Sequence, residues 1–83
     1  MLTKDMTIQI SDENLNASIT FFIKKANEFK SQVDLIHDNA RVNAKSLLGV
    51  ISMGLHHGSQ ISISAEGPDA QEALDALSQL LGE

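Results

Sequence analysis

The sequence lacks cysteine, tryptophan and tyrosine, and it has a single proline among its 83 residues. Without cysteine the chain forms neither a disulfide nor a thiolate metal site, which leaves an apolar core as the source of stability. Three phenylalanines are its only aromatic residues, so that core is predicted to be small and aliphatic. A chain of this length corresponds to one domain, predicted over residues 1–83.

Positive charge is also scarce, since six Lys and Arg stand against eleven Asp and Glu, for a net charge of −5. This balance argues against direct nucleic-acid binding, because phosphate contacts need clustered cations. No window approaches the roughly 20 apolar residues of a membrane span, and the first six residues carry no apolar run typical of a signal peptide. We therefore expect a cytoplasmic protein with no membrane association, and the absence of cysteine fits a reducing compartment.

Alternating apolar residues predict strands over 6–10, 33–35 and 61–65. A period of two is typical of a strand with one buried face. Residues 37–40 resemble a turn, with Asn39 available for a left-handed backbone. Residues 41–43 are then predicted to return as a short strand and complete a hairpin.

Spacings of three and four predict a helix on each side of this hairpin region. The apolar stripes are Ile19, Phe22, Ile23, Ala26 and Phe29 in the first helix, and Ala73, Leu74, Ala76, Leu77, Leu80 and Leu81 in the last. Phe21 lies off the stripe, and it is expected either to be an exposed contact or, as the preferred interpretation, to pack against a loop. Asn14 and Asn16 are expected as helix caps. Asp69 and Glu72 match a capping box. With the central helix described next, the order βαββαβα predicts an α+β sandwich with its helices on one face of the sheet.

The central segment, residues 42–54, places Ser46 directly before a short apolar run. Ser46 is predicted to be the N-cap of a short helix, with its hydroxyl accepting a free backbone N–H one turn on. Leu47, Leu48, Val50 and Ile51 would cover more than one face of that helix, so some of them should be exposed. A phosphate on Ser46 would lie at the positive end of the helix dipole.

The remaining polar residues do not form a recognisable catalytic or metal site. His56 and His57 are adjacent and do not converge on one ion, so a surface loop is the preferred interpretation and no metal is predicted. Asp12 and Glu13 suit the first turn of a helix rather than an acid–base pair. A Gly-rich phosphate loop and a Ser-His-Asp set are both absent from the sequence. No cofactor is expected.

Four segments together resemble the HPr family, the small histidine phosphocarriers of the bacterial sugar phosphotransferase system. They are V-N-A-K-S-L-L-G-V-I-S-M-G (42–54), I-S-I-S-A-E-G-P-D (61–69), A-N-E-F-K-S (26–31) and E-A-L-D-A-L (72–77). The resemblance covers nearly the whole chain. It implies an HPr-like open-faced β-sandwich, with four antiparallel strands and three helices.

The chain departs from that family at the phosphocarrier motif, G-[L/I]-H-A-R-P-A, which opens the first helix. An ungapped match places Leu15 at the histidine position, and a match shifted by one residue places Asn16 there. The arginine becomes Ala17 or Ser18, and the proline is missing. Neither an alkyl nor an amide side chain forms a labile phosphoramidate, so the residue at this position cannot accept and pass on a phosphoryl group.

The resemblance is closest to regulatory HPr-like proteins that lack the active histidine and keep the regulatory serine, which implies a non-enzymatic role. It implies that an HPr kinase/phosphorylase modifies Ser46 and that the phosphorylated form is a corepressor for a LacI-type transcription regulator in carbon catabolite control. Leu47, Leu48 and Ile51 match the family's exposed apolar patch, and Lys45 is placed with them as a partner contact.

The sequence is compatible with two other functions. One is an HPr-shaped interaction module that is never phosphorylated. The other is a phosphocarrier that uses a relocated histidine, His56 or His57, although these residues and His37 lie in other loops and do not replace the missing one. The expected oligomeric state is a monomer or a weak homodimer, formed through the apolar patch or by strand exchange.

Overall fold

The computed structural model describes residues 1–82 as an antiparallel sheet of four strands packed against three helices. Along the chain the elements are β1 (Leu2–Thr7), α1 (Asp12–Ala26), β2 (Gln32–His37), β3 (Ala40–Asn43), α2 (Leu47–Ser52), β4 (Gln60–Glu66) and α3 (Ala70–Gly82). The strands lie in the order β1-β4-β2-β3. The predicted α+β class and the order βαββαβα are confirmed.

The core lies between the inner face of the sheet and the apolar stripes of α1 and α3. Leu35 and Ile63 are paired across β2 and β4 and fully buried, and Phe22 of α1 and Leu77 of α3 are buried as well. The other face of the sheet is open and largely polar. Within residues 1–82, no helix combines the length and apolar character that crossing a membrane would require.

The first strand lies earlier in the chain than the predicted 6–10. β1 ends at Thr7, and the next residues bond to other elements: the N–H of Ile8 donates to Ser59 O at 2.9 Å, and that of Gln9 donates to Leu81 O at 2.9 Å. Ile8 is fully buried although it lies outside the strand. Because β1 is an edge strand whose first residues are exposed, no apolar alternation marks it in the sequence.

The hairpin between β2 and β3 forms as predicted, but a different residue takes the left-handed backbone. Asp38 has a φ of +54°, whereas the sequence interpretation assigned that conformation to Asn39. Asp and Asn both tolerate it because their short polar side chains bond locally. The His37 Nε2 lies 3.6 Å from the Asp38 carboxylate.

Two expectations about the surface of α1 are wrong. Asn14 and Asn16 do not cap the helix, because α1 begins at Asp12 and both lie within it. The position before the helix belongs to Ser11, and the Asn14 amide donates to the Ser11 hydroxyl at 3.2 Å. Phe21 remains 63% exposed, so the preferred interpretation that it packs against a loop is wrong and the alternative of an exposed position is the one observed.

The predicted capping box of α3 is also wrong, because Asp69 bonds to the α1–β2 turn instead. Its carboxylate accepts the backbone N–H groups of Lys30 and Ser31, both at 2.9 Å, and the Ser31 hydroxyl at 2.5 Å. The N–H of Asp69 donates to Ser31 Oγ at 3.2 Å, which is the role that a capping box assigns to Glu72. The Ser31 hydroxyl and the two backbone N–H groups lower the Asp69 pKa from 3.8 to about 2.

Candidate functional site

Ser46 is the N-cap of α2, as predicted. It has an extended backbone, with φ −102° and ψ 114°, and its Oγ accepts the N–H of Gly49 at 3.2 Å. Its carbonyl accepts the N–H of Val50 at 3.1 Å, and its own N–H donates to Asn43 O at 3.0 Å. The serine is therefore held by both its backbone and its side chain at the start of a six-residue helix.

Gly49 leaves room around the Ser46 hydroxyl. A Cβ at this position would lie 3.3 Å from Ser46 Oγ and 3.4 Å from Val42 Cβ. Most side chains would therefore crowd the oxygen that caps the helix. The glycine lowers intrinsic helix propensity, which adds to the importance of the cap for so short a helix.

Three apolar side chains of α2 face solvent and form one surface, which we call the α2 patch: Leu47, Leu48 and Ile51. Their exposed fractions are 47%, 82% and 54%. Leu47 and Ile51 are one helical turn apart, so the patch is continuous. Val50 points the other way and is 1% exposed. The expectation that some apolar residues of this helix remain exposed is confirmed.

Lys45, next to Ser46, is bonded by its backbone and by its side chain. Its ammonium donates to Phe29 O at 2.8 Å, its N–H donates to Asn43 Oδ1 at 2.8 Å, and its carbonyl accepts the Asn27 amide at 3.2 Å. Phe29 and Asn27 follow the end of α1. The sequence gives no signal for this contact, since the residues are 16 and 18 positions apart from Lys45.

The position of the family's active histidine contains no nucleophile. Leu15 is 4% exposed and belongs to the core, while Asn16 is exposed on the surface of α1. The helix begins at Asp12, three residues before Leu15. Its first turn carries Asp12 and Glu13, so negative side chains occupy the end where the helix dipole favours an anion.

His56 and His57 lie in the loop between α2 and β4, as predicted, whereas His37, which was predicted in a turn, is the last residue of β2. The backbone N–H of His57 donates to the Asp12 carboxylate at 2.8 Å, which fastens the α2–β4 loop to the start of α1. His56 donates its backbone N–H to the Ser59 hydroxyl at 3.0 Å, and His37 Nδ1 lies 3.0 Å from Gln60 O. Among the 82 described residues, no three His, Asp or Glu side chains come together as a metal site.

A protein-family model matches nearly the whole chain. The family model described as "PTS HPr component phosphorylation site" matches residues 3–83. This chain belongs to the HPr family. HPr and HPr-like proteins are phosphocarriers and regulators rather than enzymes, so the expected non-enzymatic character follows from the family.

Relatives of both the HPr and the HPr-like type are found in sequence. The HPr-like protein Crh of Halalkalibacterium halodurans is 34% identical over 77 residues, which cover 93% of this chain and 92% of that protein. The phosphocarrier protein HPr of Buchnera aphidicola is 42% identical over 62 residues, which cover 75% of this chain and 73% of that protein.

Solved structures show the same fold. The crystal structure of HPr from Bacillus anthracis aligns with a TM-score of 0.91 at 32% identity, covering 96% of this chain and 95% of that chain. A crystal structure of Crh from Bacillus subtilis, described as a domain-swapped dimer, aligns with a TM-score of 0.71 at 32% identity. The alignment covers 90% of this chain and 82% of that chain. The predicted HPr-like open-faced β-sandwich is confirmed.

Proposed function

We propose that this HPr-family protein is a regulatory protein of carbon catabolite control that acts by protein–protein contact and carries phosphate on Ser46 instead of on a histidine. The observation that carries the proposal is a contrast between two sites. Ser46 lies at a capped helix start beside the exposed α2 patch. Leu15, at the histidine position of the ungapped match, is a core residue with no nucleophile.

The proposed modification is a phosphoryl transfer from ATP by an HPr kinase/phosphorylase. The Ser46 Oγ forms a bond to the γ-phosphorus, the bond from that phosphorus to the β–γ bridging oxygen breaks, and ADP leaves. The hydroxyl proton passes to a base on the kinase. An esterified Oγ keeps lone pairs, so it still accepts the N–H of Gly49 and the cap is compatible with the phosphorylated state.

The α2 patch is the proposed contact surface, first for the kinase and then for a LacI-type transcription regulator. Contiguous exposed apolar side chains usually mark a protein contact surface, and here they follow Ser46 directly along the chain. A phosphate on Ser46 would add charge at the rim of this surface, where it changes which partners bind. A solution structure of the B. subtilis relative is described as "Catabolite Repression HPr", which supports the assignment by similarity.

A histidine-based carrier is the second candidate, because one observation favours it. The hydrogen bond from His57 N to Asp12 Oδ1 brings a loop with two histidines against the first turn of α1. The same turn carries Asp12 and Glu13, whose charges oppose a phosphate nearby. An acid-labile phosphate after incubation with phosphoenolpyruvate and the general phosphotransferase enzyme would establish the carrier and overturn our proposal.

A second copy of the chain is a further proposed partner, in a weak homodimer formed by exchange of β1. This strand lies at the edge of the sheet and is joined to α1 by residues 8–11. Among similar structures, B. subtilis Crh is described as a swapped dimer and Thermoanaerobacter tengcongensis HPr as a dimer. Sedimentation over a range of concentrations tests this; a single monomeric species throughout would rule it out.

The test of the principal proposal is incubation with the cognate HPr kinase/phosphorylase and ATP, followed by mass measurement of the intact protein. The wild type and the control Ser52→Ala should each gain one phosphoryl group, and Ser46→Ala should gain none. Ser52 is the matched control because it lies in the same helix and is exposed. No gain in the wild type with an active kinase would instead favour an unphosphorylated interaction module.

A further inference from the structure

We propose that Lys45 is a positioning residue for the modification of Ser46, acting through the fold rather than by contact with the kinase. In this role its ammonium anchors residues 43–46 to the end of α1 and so keeps the Ser46 hydroxyl in its capping geometry. The inference rests on the proposed function only where it concerns the phosphorylation of Ser46, since the anchoring by Lys45 is a property of the unmodified protein.

The first argument is the number of bonds that Lys45 makes. Its N–H donates to Asn43 Oδ1 at 2.8 Å, and its carbonyl accepts the Asn27 amide at 3.2 Å. Its ammonium donates to Phe29 O at 2.8 Å. Two of these partners follow α1 and the third ends β3. A lysine reserved for a partner protein would leave its ammonium in solvent, where surface lysines are normally hydrated.

The second argument is that the acceptor carbonyl lies in a turn that is itself held in place. Phe29 precedes Lys30 and Ser31, whose backbone N–H groups both donate to the Asp69 carboxylate at 2.9 Å. The α1–β2 turn is thus tied to the start of α3 on one side and to Lys45 on the other. Phe29 O therefore offers a fixed anchor point rather than a mobile loop carbonyl.

The third argument links the anchor to the hydroxyl. Ser46 follows Lys45 directly, and the N–H of Ser46 donates to Asn43 O at 3.0 Å. Asn43 therefore contacts both residues, through its side chain and through its carbonyl. A shift of Lys45 would change the extended backbone at Ser46 on which the 3.2 Å bond to Gly49 depends.

The experiment compares three variants. Lys45→Met keeps the aliphatic length of the side chain and removes its hydrogen-bond donor, and Lys45→Arg keeps a charged donor. Lys24→Met removes one positive charge elsewhere and is the control for the change in net charge. Lys24 is exposed on α1. Two quantities are measured on each folded variant. One is the exchange rate of the Gly49 amide hydrogen by NMR, without kinase, and the other is the kcat and KM of Ser46 phosphorylation.

We expect Lys45→Met to speed Gly49 exchange about tenfold, since a bond to a charged donor is lost, and to lower kcat with KM little changed. Lys45→Arg should recover much of both effects because its guanidinium also donates, and Lys24→Met should change neither. Asn27→Ala is a second test: it removes the bond to Lys45 O, together with the bond from the same amide to Ile23 O in α1, and should also speed Gly49 exchange.

Unchanged Gly49 exchange in Lys45→Met would overturn the inference, and a raised KM in that variant would identify Lys45 as a direct kinase contact. If the wild type is not phosphorylated at all, the proposed function fails. The exchange measurements then still decide whether Lys45 anchors the Ser46 segment, so the two failures are distinguishable.

Discussion

The N–H of Gly49 donates to the Ser46 Oγ at 3.2 Å, so the oxygen proposed as the phosphorylation site is also the cap of α2. Replacement of the serine therefore has a structural effect as well as an effect on signalling. The two are separable, because capping is measured in the unmodified protein and phosphorylation needs the kinase.

We predict that Ser46→Ala lowers the free energy of unfolding by about 1 kcal/mol, since an N-cap is lost. Ser46→Asp should retain most of the stability because aspartate is also a good cap. Denaturant unfolding followed by circular dichroism gives these values. Ser52→Ala, which removes a hydroxyl from the exposed end of the same helix, should change stability by less than about 0.5 kcal/mol. Equal losses in the two alanine variants would contradict the capping role.

The α2 patch should contribute to binding and hardly at all to folding. Leu48 is 82% exposed, so Leu48→Ser should change the free energy of unfolding by less than about 0.5 kcal/mol. It should nevertheless reduce the rate of Ser46 phosphorylation. Val50 is 1% exposed and provides the opposite case: Val50→Ala should cost at least about 1 kcal/mol. A Leu48→Ser protein that is phosphorylated at the wild-type rate would argue against the patch as the kinase contact.

The Asp69 carboxylate should make stability depend on pH in the acid range. Its pKa is lowered from 3.8 to about 2, chiefly by the Ser31 hydroxyl, so the native state binds the proton less readily than the unfolded chain. The carboxylate therefore stabilises the fold fully above about pH 4, and this contribution is lost as the pH falls towards 2.

We expect Asp69→Asn to be less stable than the wild type at neutral pH and to approach it as the pH falls to 2. Urea midpoints from pH 6 to pH 2 measure the difference. Asp75→Asn is the control, since that carboxylate is exposed on α3, which follows Asp69, and it bonds only to a neighbouring glutamine, Gln71, among the described residues. A constant gap between Asp69→Asn and the wild type at every pH would contradict this account.

Leu15 and Asn16 are the two alternatives for the family's histidine position, and substitution by histidine should destabilise the fold to a different extent at each. Leu15 is 4% exposed, so Leu15→His should lower the free energy of unfolding by about 2 kcal/mol or more, as polar or small replacements of a core leucine do. Asn16 is exposed, and Asn16→His should change the free energy of unfolding by less than about 0.5 kcal/mol. Thermal unfolding of both variants is the measurement. A loss of less than about 0.5 kcal/mol in Leu15→His would contradict the placement of that side chain in the core.

Features of this fold that depend on local pattern were predictable from the sequence. The stripe of α3, the buried alternation of β4 and the Ser46 cap each involve residues within a turn or a strand of one another. Their physical cause is periodicity or capping chemistry, which the sequence displays directly. The exposed α2 patch was predictable too, because a six-residue helix cannot bury apolar side chains on every side.

Features that depend on contacts distant in sequence were not predictable. Asp69 and Glu72 have the spacing of a capping box, yet the Asp69 carboxylate binds residues 38 and 39 positions away. The bond from Lys45 to Phe29 O was not predictable either, because the two residues are 16 positions apart. The position of β1 was not predictable because two of the three residues in the apparent alternation, Ile8 and Ile10, lie outside the strand, where the fold buries Ile8.

The most direct test of the central claim is the ³¹P NMR spectrum of the protein after incubation with both phosphoryl donors. One sample receives ATP with the cognate HPr kinase/phosphorylase, and the other receives phosphoenolpyruvate with the general phosphotransferase enzyme. We predict one acid-stable phosphoserine resonance in the first sample, absent from Ser46→Ala, and no protein-bound phosphate in the second. A phosphohistidine resonance in the second sample, or no resonance in the first, would contradict the claim that this protein signals from Ser46.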